Sequence, residues 1–183
     1  MAAMSLIGIL RRQAWHFAAG AAVLLLLALA LYSPDRQKGL AEFQAAGPMR
    51  HIQTAEIVTL RIAAGERHWG LERRADGWQR VQGGALLDTG AGSAIEAGLR
   101  LLHNTPPERS FVAESPDFGL TPPVLSVRLA TSGGASFEVE FGHMNPMGLA
   151  RYVRIRDRAE SALHLMPSYV AEPWEQVSGK LGQ

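Results

Sequence analysis

An unbroken apolar run near the start of the chain limits its fold more than any other feature: Ala14 to Tyr32 reads AWHFAAGAAVLLLLALALY. It holds about 19 residues without a charge, enough as a helix to span the roughly 30 Å hydrocarbon core of a bilayer. Trp15 and Tyr32 sit near its two ends, where amphipathic rings favour the headgroup layer. A cleaved signal peptide has a shorter apolar core followed by small residues at a cleavage site. Here Tyr32-Ser33-Pro34-Asp35-Arg36 follows, with no clear small-x-small site. A buried core helix is the remaining competitor.

The expectation is therefore a single transmembrane helix over residues 13–32. Residues 1–12 form a cytoplasmic N-terminus, 33–50 a juxtamembrane spacer, 51–178 an extracytoplasmic domain and 179–183 a tail. Arg11 and Arg12 precede the helix while Arg36 and Lys38 follow it, so charge bias is weak. Orientation is read instead from the domain that follows, which places the N-terminus inside. His16 lies near the end of the run and reads as a neutral interfacial side chain.

The net charge of +1 gives no basic stripe, so nucleic acid is not an expected partner. The absence of cysteine removes disulfides, thiolate nucleophiles and thiolate zinc sites together.

Beyond the spacer the pattern is mainly β. Ile57 to Ile62 is rich in β-branched residues and reads as a strand. His68 to Arg73 and Trp78 to Val81 flank Ala75-Asp76-Gly77, an Asp-Gly turn that makes them a hairpin. Ile95, Leu99 and Leu102 make one helical stripe that Gly90 to Ser93 can start, with Ser93 an acceptable N-cap, Glu96 three residues on, and Asn104 followed by Pro106-Pro107 as the stop. Val124–Leu129, Phe137–Phe141 and Tyr152–Arg156 alternate apolar with polar, as a half-solvated antiparallel sheet does. Ala162–Met166 is a last short strand, and a helix follows from Pro167 or Ser168 toward Val177. The fold class expected is α+β: a mainly antiparallel sheet with one central helix and a C-terminal helix, behind the single transmembrane helix.

Several of these segments together resemble a family. They are Trp69-Gly70-Leu71, Asp76-Gly77-Trp78, Leu99-Arg100-Leu101-Leu102, Phe118-Gly119-Leu120-Thr121-Pro122-Pro123, Phe141-Gly142, Asn145-Pro146 and Arg151-Tyr152-Val153-Arg154. The chain is similar over roughly two-thirds of its length to an uncharacterised domain-of-unknown-function family of bitopic bacterial proteins, often encoded beside gliding-type ABC transporter subunits. The Phe-Gly-Leu-x-Pro-Pro segment is the most specific part. Many members carry two or more such units, whereas this chain carries one. The resemblance implies a bacterial inner-membrane setting, a periplasmic domain and a transporter-like neighbour; it transfers no catalytic residue.

One motif points elsewhere. Ala85-Leu86-Leu87-Asp88-Thr89-Gly90-Ala91 looks like the active-site segment of retropepsin-type aspartic proteases, in which two carboxylates brought together by a twofold axis share one proton. A single Asp88-Thr89-Gly90 would need a homodimer. Prolines at 106, 107, 116, 122 and 123 occupy the span where a glycine-rich flap belongs, and Val139-Glu140-Phe141-Gly142 is a poor buttress segment. The plainer expectation is that Asp88 bonds the backbone of a turn before the helix.

The six histidines include no i, i+4 pair, and no metal or cofactor is expected. No Ser lies in a Gly-x-Ser-x-Gly context. Trp69 and Trp78 read as a cross-strand core pair. Trp174, beside Pro173, could be core or an exposed aromatic anchor for a partner, and with Met144, Met147 and Tyr169 it makes the set of candidate partner contacts. The expected function is a non-enzymatic, membrane-anchored accessory or assembly subunit meeting an integral membrane protein complex. The alternative is a membrane-anchored aspartic peptidase using Asp88.

Overall fold

The computed structural model describes residues 21–25, 46–111, 117–157 and 161–182. The chain divides into two units, Met1–Phe43 and Gln44–Gln183. Of the first, only residues 21–25 are described; they are helical and expose Val23, Leu24 and Leu25. The rest of the expected membrane helix, with residues 1–12, lies outside the described residues. Among the described residues no helix is long and apolar enough to cross a membrane.

The second unit is α+β, built on one eight-stranded antiparallel sheet. Its strands are β1 Ile57–Ala64, β2 Arg67–Arg74, β3 Gly77–Arg80, β4 Arg109–Phe111, β5 Leu125–Thr131, β6 Ser136–Met144, β7 Ala150–Arg156 and β8 Ser161–Pro167. They lie in the order β3-β2-β1-β5-β6-β7-β8-β4. Two α-helices, α1 Thr89–Asn104 and α2 Glu172–Leu181, pack on each other and cover one face.

Strand alternation decides which residues meet the helices. Leu60 pairs with Leu129, Ile62 with Val127, Val127 with Val139 and Phe141 with Val153, giving continuous apolar rows, all buried. The intervening residues face the other way: Arg61 opposes Arg128, Arg128 opposes Glu138, and Glu138 opposes Arg156. On that bare face Glu72 is held below its ordinary carboxylate range, chiefly by its bond from Arg74 and then by Gln79.

α1 supplies its stripe through Ala91, Ala94, Ile95, Gly98, Leu99 and Leu102. At Gly98 the backbone approaches Trp174 of α2 so closely that a Cβ there would lie 2.5 Å from the indole Cε2. Trp174 is fully buried, which decides for the core and removes it from the candidate partner contacts. The indole fills the space between the helices that Gly98 leaves open. Trp69 and Trp78 are not a directly opposed pair either. Trp78 opposes Arg73, whereas Trp69 opposes Ile62, because the hairpin turn brings Arg74 against Gly77.

Three boundaries move. α1 starts at Thr89, one residue before the expected Gly90–Ser93 range, and is capped not by Ser93 but by Asp88, whose backbone is extended and whose carboxylate accepts from the Ala91 N–H at 3.0 Å. At the C-terminus a 3-10 turn, Ser168–Val170, precedes α2, which runs on to a buried Leu181, so residues 179–181 belong to the domain rather than to a tail. The domain also begins earlier than residue 51: the Gly47 N–H donates to the His103 carbonyl at 2.9 Å, and Met49 is buried. Gly47 has no room for a side chain against those carbonyls. Strand β4 was not expected.

Candidate interaction surface

The Asp-Thr-Gly segment is the first place to look for chemistry. Asp88 is exposed; its Oδ1 accepts the Ala91 N–H and lies 3.1 Å from Lys180 Nζ. Its carboxyl is held below the ordinary range, first by the Ala91 backbone bond and then by Lys180. Thr89 and Gly90 form the first turn of α1, with the Lys180 ammonium lying against Gly90. The segment is thus an N-cap bonded to the far end of α2.

Beside it runs an open cleft of about 460 Å³, between the β2–β3 turn and α1, with Trp78, Leu86, Asp88 and Glu96 among its walls. Glu96 Oε1 accepts from Trp78 Nε1 at 2.7 Å and pairs with Arg73. Its strongest acceptor is therefore committed to holding the hairpin on α1. Among the described residues no three His, Cys, Asp or Glu side chains gather as metal ligands. His164 and Ser110 bond across β8 and β4 at 2.9 Å, and burial pushes the imidazole below its ordinary pKa.

A different kind of site lies at the end of the sheet where β5 starts, β6 ends and β7 starts. Val124, Met144, Met147, Leu149 and Tyr169 are all exposed there. Backbone bonds fix the segments that carry them. The Val124 N–H donates to the Phe141 carbonyl, and the Ser168 N–H to the Leu149 carbonyl, which sets Tyr169 beside the β6–β7 loop. Met144 opposes Arg151, whose Nη1 lies 2.7 Å from Glu175 Oε1 on α2, with its N–H poorly aligned for a hydrogen bond.

The loop carrying Met147 and Leu149 is internally fixed. The Asn145 side chain accepts from the Leu149 and Ala150 N–H groups at 3.0 and 3.2 Å. The Asn145 N–H in turn donates to the Ala150 carbonyl, and Gly148 takes a φ of +72° that closes the turn. Met147 is nonetheless 75% exposed and Leu149 64%. Ordered backbone presenting large apolar side chains to water is the usual form of a contact surface.

The neighbouring Phe118–Pro123 segment braces this end. Asp117 accepts from the Leu120 and Thr121 N–H groups, and the His143 N–H donates to the Phe118 carbonyl at 2.7 Å. Arg154 donates to the Leu120 carbonyl at 2.8 Å while its Nε pairs with the buried Glu140. Phe118 stacks on Tyr152 at 3.9 Å between ring centroids.

Three of the four possible contact residues, Met144, Met147 and Tyr169, are therefore exposed at this end of the sheet, and Trp174 is buried. Val124 and Leu149 are additions. Leu149 stands between Gly148 and a strand and could have been flagged as an apolar loop residue; Val124 reads in sequence as the first residue of its strand. No family model, curated protein or solved structure matches the chain.

Proposed function

We propose that the chain is a non-enzymatic, membrane-anchored accessory or assembly subunit. Its anchor is the apolar run over 13–32, and its α+β domain stands on the periplasmic side of a bacterial inner membrane, against a larger integral membrane complex. The observation that carries this reading is the rim of Val124, Met144, Met147, Leu149 and Tyr169 on a hydrogen-bonded scaffold. Large apolar side chains held out in water by an ordered backbone are a usual form of contact surface. The resemblance to the family encoded beside ABC transporter subunits supports the bacterial setting and a transporter-like neighbour. The capping and ion-pairing of Asp88 favour this reading over the aspartic peptidase.

The test is native electrophoresis of membranes solubilised in mild detergent, with a periplasm-only reporter fused after Gln183. The reporter is expected to be active and the chain to migrate in an assembly with a multi-span protein. A reporter active only in the cytoplasm, or migration as a free chain, would sink the proposal. The Asp88→Asn variant should assemble and function normally, because Asn caps a helix as well as Asp.

A further inference from the structure

We infer that the bare face of the sheet docks an acidic segment of a partner protein, with an Asp or Glu carboxylate seated between Arg61 and Arg128. This rests on the accessory-subunit reading and adds a contact on that face and its chemistry. The strand registers set Gly70, Arg61, Arg128, Glu138, Arg156 and Ser161 in one row across six strands. The row faces away from the helices, because the strand neighbours Leu60, Ile62, Val127, Leu129 and Val139 are the residues buried in the core. Within it Arg61 and Arg128 are directly opposed and both exposed. Like charges directly opposite each other destabilise a sheet. The fold supplies an acid to the other guanidiniums nearby: Arg128 bonds Glu138 at 3.0 Å, Arg154 pairs with Glu140, which lies 3.5 Å from Arg156, and Arg74 takes Glu72. Among the described residues Arg61 has no ion-pair partner, and its neighbour on β2 is Gly70. A local pairing rule broken with no gain to the fold is expected where a surface serves binding.

The surroundings of the pair fit a carboxylate-bearing side chain. Thr59 and Ala130 oppose each other on one side of it, Ala63 and Ser126 on the other, and all four are short. They leave room to reach both guanidiniums, each of which can hold a carboxylate through two N–H groups. The same features weigh against other occupants. Anionic bilayers are bound by unbroken clusters of roughly four to eight basic residues, whereas Glu138 and Glu140 interrupt this one. A second copy laid face to face would bring its own surplus of guanidiniums against this surplus.

The experiment uses the full chain in its own membranes, with a photo-crosslinking amino acid replacing Ala130, two residues from Arg128 on the bare face. One dominant product with another protein is expected, mapping next to Asp or Glu. Adding Arg61→Glu should lower its yield roughly tenfold, and Arg61→Gln roughly threefold, since charges at an interface act mainly on encounter. Chain abundance should hold in both variants. Arg61→Glu should also raise the unfolding midpoint of the detergent-solubilised chain, because it sets opposite charges in place of like ones. A merely structural Arg61 would lose yield and midpoint together, and that result would overturn the inference. So would a yield indifferent to both variants, or a product with lipid, with a second copy or with a segment lacking acid. If the chain migrates with a multi-span protein on native electrophoresis and the Ala130 site captures no protein, the inference fails while the accessory reading stands. If it migrates alone and captures nothing, both fail.

Discussion

Methionine has two fates in this domain. Met49 and Met166 are sealed between the helices and the sheet, while Met144 and Met147 stand in water on the rim. The contrast extends to neighbours. In the sealed layer Leu60, Ile62, Leu129, Val139 and Phe141 have no exposed surface, and α1 and α2 approach so closely that only glycine fits at position 98. A chain that closes one apolar layer this completely has no general shortage of burial. The open rim is a local property of loops whose backbones are as well bonded as the strands they join. In one region apolar side chains hold the fold; in the other the fold holds them out.

The largest expected effect falls on the sealed layer. Trp174→Ala leaves a cavity opposite Gly98 and should cost about 3–5 kcal/mol, measured by denaturant unfolding of the detergent-solubilised chain. A loss below about 1 kcal/mol would mean that the helices close without the indole, and the contrast with the rim would dissolve. Next comes the brace between the regions. Arg154→Met leaves the buried Glu140 carboxylate with Arg156 at 3.5 Å among the described residues, and removes the donor to Leu120. It should cost roughly 2–3 kcal/mol, below the full penalty for a buried pair because Arg154 is partly exposed. Hydrogen exchange should rise first in residues 117–124.

Much of the sealed layer was legible in the sequence, because strict alternation in Phe137–Phe141 and Tyr152–Arg156 and the Ile95–Leu99–Leu102 stripe leave little choice of face. The misreadings share a cause. Trp174, following Pro173 near the end of the chain, could be read as core or as contact; only the tertiary contact with Gly98 shows what it fills. Ser93 and Asp88 are both good caps, and the local pattern of Ser93 with Glu96 favoured the wrong one. Glu96 is instead bonded to Trp78, 18 residues away in sequence. β4 has only three residues and no period to detect. The rim was half legible: two methionines in a polar loop stand out, but their gathering with Tyr169 depends on the Ser168–Leu149 bond between distant segments.

A smaller effect separates the sheet edge from both regions. Burial lowers the His164 pKa in the fold, so protonation favours the unfolded chain. The corresponding stability is fully present above the ordinary imidazole range, near 6.5, and is lost as pH falls through that range toward the lower folded value. Unfolding midpoints should therefore decline on acidification below about pH 6.5, and His164→Gln should flatten that part of the profile. An unchanged slope in the variant would place the titration on another histidine.

The smallest effect on stability is the one that bears most on function. Replacing Met147 and Leu149 together by serine removes two large apolar side chains that already face water. Little burial is lost on the folded side, and the Asn145 bonds that hold the loop use backbone N–H groups, which serine retains. Stability should change by less than about 0.5 kcal/mol, as for surface positions without buried partners. The same pair should nevertheless remove the chain from its assembly on native electrophoresis, because the rim would lose its two most exposed apolar contacts. If the double variant unfolds the domain, these residues belong to the core in solution and the two fates of methionine are one. If it folds and still assembles, the contact lies elsewhere and the rim is only an uncovered end of the sheet. Trp174→Ala cannot make this distinction, since losing the fold loses every surface at once; the weak perturbation of Met147 and Leu149 can.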